Sequence, residues 1–302
     1  MCKGTSTKAR SSPRFLLTSL ESYSIGSGKG PLPIEMITTC LSVVLMLVAV
    51  EFGLNRIFEN IQDFHPLFED ATNRAILARH IGVDAFSCFF VAILGWRARS
   101  INQDMVDAVW HRKNSMPVAF ENRVFKYYPE GVRLTLFFFG YQLKNTYDTI
   151  IWNDGPEFIA HHILTLATAW GALYPGTCHY YSTFYFGVSE ISTGVLCLLA
   201  NFDDVHGVKG LAEAFPLVKM VIGGIFAVLF VICRVLMWST VSYYYCRDAW
   251  NALKSNDPRL QGRRTWLRYT FVSLALLSLL QIIWLGEIVR IGREEMIKSG
   301  FL

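Results

Sequence analysis

The stretch Asp154-Gly-Pro-Glu-Phe-Ile-Ala-His161-His162-Ile-Leu-Thr165-Leu-Ala-Thr168-Ala-Trp-Gly-Ala-Leu-Tyr174 decides how the rest of the chain is read. It is long and apolar enough to cross a bilayer once, yet it carries two adjacent histidines near one end. An ionisable group in hydrocarbon costs about 2.5–3.5 kcal/mol on insertion scales, so such groups turn toward protein or a water-filled cavity. Two histidines ahead of a helical face made by Thr165 and Thr168 predict a polar chamber inside a bundle of membrane helices.

The composition agrees. Hydrophobic residues make up 52% of the 302 and charged residues only 17%, against about 25% charged in a soluble domain, and the mean hydropathy is +0.32. An integral membrane protein follows. The net charge of +4 is modest, and its basic residues lie in loops between apolar spans, where anionic headgroups account for them. No nucleic-acid partner is expected. The seven cysteines show no paired spacing. Cys40, Cys88, Cys197 and Cys233 fall in apolar spans, where a thiol acts as a small core residue.

Outward from the histidines, about seven spans of roughly 20 residues or more are expected. They cover about Ile34 to Leu54, Ile76 to Trp96, Gly131 to Trp152, the histidine stretch, Tyr180 to Ala200, Phe215 to Tyr245 and Leu267 to Ile291. The chain then divides into a disordered tail (1–33), two spans with a basic loop (34–123), a main region (124–291) and a charged tail (292–302). Pro156 at a helix start and Pro175-Gly176 beyond its end are ordinary boundary signals. Lys and Arg concentrate in the N-terminal tail, the 97–128 loop and the 247–268 loop. With seven spans these share one side, which places the N-terminus in the cytosol.

Polar residues from several spans fall at similar depth. His162 lies about twelve residues before the Pro175-Gly176 turn and Glu190 about eleven after its end, or roughly 17–18 Å from one face at 1.5 Å per residue. Asp148 and His161 each lie about five residues from the Asn153–Gly155 turn. Arg234 sits deep in a later span and requires a carboxylate, for which Glu190 is the first candidate and Asp148 the second. Lys144 and Asp148, four apart, share a helical face and can pair with each other. The catalytic candidates are His161, His162, Glu190 and Asp148, with imidazole suited to proton transfer or nucleophilic work and an acid to orient it. The substrate-binding candidates are Arg234, Thr165 and Lys144. Adjacent helical histidines diverge by about 100°, so no metal site is expected.

At these residues the sequence resembles the TLC-domain family (the TRAM/Lag/CLN group of multispanning membrane proteins). The matching features are Tyr147-Asp148, His161-His162-Ile-Leu-Thr165, Ser189-Glu190-Ile-Ser192-Thr193 and Arg234, in family order between about Val124 and Ile291. The resemblance implies an all-α transmembrane bundle with six helices in a barrel that begins near residue 76. It also implies residence in the endoplasmic reticulum and a role in lipid metabolism or homeostasis. Membrane lipids are the implied partners, fatty acyl-CoA the implied co-substrate of an acyltransferase, and no bound cofactor is implied; self-association is left open. In ceramide synthases the double histidine is followed by two aspartates at positions that are here Ser189 and Ser192. The pattern is therefore closer to the TLC-domain-containing branch than to a sphingoid-base N-acyltransferase.

Overall fold

The computed structural model describes residues 33–110, 118–174 and 176–298. The expected N-terminal tail, Pro33 apart, and the last four residues of the charged tail lie outside them. Every regular element among the described residues is helical. The principal helices are α1 (Pro33–Asn60), α2 (Ala71–Arg97), α3 (Arg99–Trp110), α4 (Pro129–Trp152), α5 (Pro156–Leu173), α6 (His179–Ala200), α7 (Pro216–Lys254) and α8 (Arg264–Lys298).

Local chemistry sets the boundaries. Asp70 caps α2 by accepting the Thr72 N–H at 2.7 Å, and that bond holds its carboxyl below the usual range. Pro129 opens α4 with a fixed φ and no N–H to leave unpaired. Asn153 closes it in the left-handed region, at φ 55° and ψ 47°. Gly155 follows at φ 124°, where a side chain is disfavoured, and Pro156 begins α5. This turn forces α4 and α5 to run back antiparallel. Within the basic loop of the sequence reading, the described residues include α3 and the short helix Phe120–Val124. The helical part of the charged tail is simply the end of α8, held by Arg290 to Glu287 and Glu294 at 2.7 and 2.8 Å.

Among the described residues five helices, α1, α2, α6, α7 and α8, have both the length and the apolarity to cross a membrane. Of the seven expected spans, α4 and α5 are the remaining two. At 24 and 18 residues they measure about 36 and 27 Å, but Lys144, Asp148 and the two histidines make them polar. Neighbours nevertheless bury the polar side chains of both, Lys144 and Asp148 on α4 and His162 on α5. α2 packs on α4 and α6, α4 on α5 and α6, α5 on α8, α8 on α7 and α7 on α6, with α1 against α2 and α4. Tyr141, Tyr180, Tyr181, Phe138 and Phe184, each 1% exposed, form the aromatic heart of the core. The six described cysteines are all free.

Three helices each contain a π-turn: His80–Ala85 in α2, Phe184–Val188 in α6 and Val231–Met237 in α7. Such turns insert a residue and re-aim the side chains beyond them, often at functional sites. Here Asp84 lies inside the first, Glu190 two residues past the second and Arg234 inside the third.

Candidate functional site

The two histidines look in different directions. His162, 7% exposed, has its Nδ1 2.9 Å from Oε1 of Gln142 on α4. An amide oxygen only accepts, so Nδ1 carries the proton and Nε2 keeps the lone pair a base or nucleophile needs. His161 stacks edgewise between His162 and Trp284 of α8, with ring centroids 5.3 and 5.0 Å away. Its Nδ1 is buried and makes no hydrogen bond among the described residues. A polar atom in that state costs about 1–3 kcal/mol. Arg234 is the charged group whose field reaches His161, whereas His162 lies in the fields of Arg79 and Asp154.

Glu190 and Arg234 form a buried pair, Nη2 donating to Oε1 at 2.8 Å. The same Nη2 donates to Thr193 Oγ1 at 2.6 Å and Nε donates to Ser192 Oγ at 3.2 Å. The guanidinium also lies over Trp238, 5.1 Å from the ring centre. The second carboxylate oxygen of Glu190 receives the Cys88 thiol at 3.8 Å, and that sulfur lies 3.5 Å from the Tyr141 hydroxyl. Nη1 of Arg234 makes no hydrogen bond among the described residues, which leaves one donor edge for a ligand.

A second charged cluster stands nearer the α4–α5 turn. Lys144 donates to both oxygens of Asp148, at 2.7 and 2.5 Å, and to Glu51 of α1 at 2.7 Å. Arg79 bonds Asp154, and its Nε stands 3.8 Å from Asp84.

The expected pairings of Lys144 with Asp148 and of Arg234 with Glu190 are therefore both present. The expected carboxylate behind a histidine is not: neither Asp148 nor Glu190 hydrogen-bonds an imidazole among the described residues. Each is already held by a cation, which is the stronger partner in a low-dielectric interior. Gln142 takes the orienting role instead. The Thr165 and Thr168 hydroxyls, expected to form a polar face of the chamber, donate back to the His161 and Leu164 carbonyls of their own helix at 2.7 and 2.8 Å.

Sequence reasoning passed over Gln142, Glu51 and Trp284, and read Cys88 only as a small core residue. Gln142 left a trace, because it and Asn145 sit three apart in the polar segment that also holds Lys144 and Asp148, and so share a helix face. Trp284 and Cys88 are apolar in type and left none.

A family model, the TLC domain, matches residues 79–290, from the second helix to the end of the bundle. No curated protein and no solved structure matches the chain.

Proposed function

Because the chain belongs to the TLC-domain family, we propose that it acts in membrane lipid metabolism or homeostasis, binding or modifying a lipid or acyl chain in the interior around His161. The observation that carries this reading is the buried Nδ1 of His161, which makes no bond among the described residues, in a ring held between His162 and Trp284. A ligand that accepts or donates there would remove the cost of leaving it unpaired. A lipid is the natural ligand of a polar interior reached through hydrocarbon.

In the catalytic form of the proposal, the Nε2 lone pair of His162, or the unpaired nitrogen of His161, serves as base or transient acyl acceptor. The acyl group passes from the thioester of a fatty acyl-CoA to a lipid acceptor, and the thiol of coenzyme A leaves with the acceptor's proton. Arg234 would hold an anionic headgroup or the thioester's phosphate through its Nη1 edge. Lys144 and Thr165 act as positioning residues through Asp148 and the His161 carbonyl. Endoplasmic-reticulum residence, a cytosolic N-terminus, closure of α2 and α4–α8 into a barrel, and membership of the TLC-domain-containing branch belong to the same proposal.

One observation favours the non-catalytic form, in which the interior only holds the chain. Glu190 and Asp148 are paired with cations rather than imidazoles, so the usual acid–imidazole dyad is missing. A cargo or translocation role has no such support, and the serines at 189 and 192 speak against ceramide synthesis.

The two forms are separated with protein in liposomes, labelled acyl-CoA and mixed lipid acceptors. The catalytic form expects transfer by the wild type and none by His161→Ala/His162→Ala. Equal transfer by the double variant, or none by the wild type, leaves only the binding form. Absence of any lipid change on deletion would overturn both.

A further inference from the structure

At the end of the bundle opposite the Asn153–Gly155 turn lies a cleft of about 450 Å³, lined by Phe120, Arg123, Arg247, Asp248 and Asn251. Its volume falls in the range of small-molecule sites, about 300–1,000 Å³. The floor is closed electrically. Asp248, 1% exposed, accepts from Arg123 Nε at 2.5 Å, from Arg123 Nη2 at 2.7 Å and from the Tyr181 hydroxyl at 2.5 Å. Arg123 also donates to the Val118 carbonyl. The only carboxylate of the lining is thereby fully engaged.

Arg247 is what remains. Its Nε stands 4.0 Å from Asp248, too far for a hydrogen bond, and its side chain is 40% exposed. The guanidinium lies over Tyr244 at 4.9 Å and Tyr243 at 5.8 Å. The rings orient the fork without neutralising its charge. The cleft therefore presents one oriented guanidinium, the Asn251 amide and an aromatic wall at Phe120, at the end of the bundle richest in Lys and Arg. A guanidinium fork matches the oxygens of a phosphate bidentately.

We propose that this cleft binds a phosphate group carried on an organic molecule, with Arg247 clamping the phosphate and Phe120 covering the attached moiety. The site is separate from the histidine interior and does not rest on the proposed function. The phosphate could come from a lipid headgroup or from a soluble nucleotide, and the chemistry of recognition is the same.

The test uses full-length protein in phosphatidylcholine nanodiscs, with phosphatidic acid in the disc or adenosine 3′,5′-bisphosphate in solution as probes and inorganic phosphate as the bare group. Binding of either organic phosphate is expected, tighter than inorganic phosphate. Arg247→Gln should weaken it about tenfold, the scale of one lost charge-assisted contact. Phe120→Ala, which leaves every charge in place, should weaken it too. Arg268→Gln, at an exposed arginine of α8 outside the lining, should not. Response to the nucleotide alone identifies a soluble source, and response to phosphatidic acid alone a headgroup. The proposal is overturned if the wild type binds neither probe, if Arg247→Gln binds as the wild type does, or if Arg268→Gln loses as much, which would reduce Arg247 to general surface charge.

Discussion

At the scale of the residue, the molecule holds Glu190 with Arg234 and Asp148 with Lys144, while among the described residues the buried Nδ1 atoms of His161 and His179 make no hydrogen bond. Glu190 and Arg234, at 6% and 8% exposure, are held by each other and by Ser192 and Thr193. Removing one partner of such a pair strands a charge in a low-dielectric interior and costs about 3–5 kcal/mol, whereas replacing both with apolar groups is often neutral. Glu190→Gln should accordingly lower the thermal unfolding midpoint sharply in detergent, and Glu190→Leu/Arg234→Met should recover most of the loss. A double variant no more stable than the single would mean that the pair contributes net stability of its own. The same arithmetic bears on Lys144, whose charge is answered by Asp148 and Glu51, so α1 is tied electrostatically to α4.

At the scale of the element, close approach of helices depends on a few glycines. A Cβ on Gly95 of α2 would stand 2.7 Å from the Val188 nitrogen and 2.8 Å from the Thr183 carbonyl oxygen of α6. Both are backbone atoms at the α6 π-turn and cannot move aside as a side-chain end can. Overpacking there should cost about 1–3 kcal/mol or more, and because the turn precedes Glu190 it should disturb the Glu190–Arg234 contact as well. Gly224 of α7 has nothing within 4 Å of an added Cβ. Gly224→Ala should leave stability unchanged or raise it by up to about 1 kcal/mol through helix propensity. Thermal unfolding of the two variants side by side checks both expectations. If Gly95→Ala melts with the wild type, the α2–α6 contact is looser than these distances state.

At the scale of the whole molecule, the placement of the polar helices α4 and α5 in the bilayer sets the topology. If both cross, Gln62 and Glu157 share one side and Asn256 the other. All three are exposed, so Gln62→Cys and Glu157→Cys should react with an impermeant maleimide from one side and Asn256→Cys from the opposite side. The bias of Lys and Arg toward the Asn256 end predicts that this side is the cytosolic one. Reaction of Glu157→Cys from the Asn256 side would show that α4 and α5 enter and return without crossing. Enclosure explains how two such polar helices are tolerated. Neighbours rather than lipid cover Lys144, Asp148 and His162, each below a tenth exposed.

The sequence by itself determined the membrane class, the all-helical architecture, the turn at Asn153–Pro156 and the Lys144–Asp148 pairing. Each of these is written in composition or in short-range spacing: apolar run length, turn residues, and the four-residue repeat of a helix face. It also predicted that Arg234 requires a carboxylate, with Glu190 the first candidate and Asp148 the second, because an arginine in hydrocarbon must find one. Only the tertiary structure decided which way each helix turns about its own axis, and the three π-turns change that angle partway along α2, α6 and α7. That rotation gave His162 an amide partner on α4 instead of an acid, placed Trp284 against His161 and brought Glu51 to Lys144. It also left Arg247 over a cleft whose only carboxylate was already engaged. No spacing rule within one segment encodes these meetings, since each joins side chains far apart in the chain through packing that depends on all the helices at once.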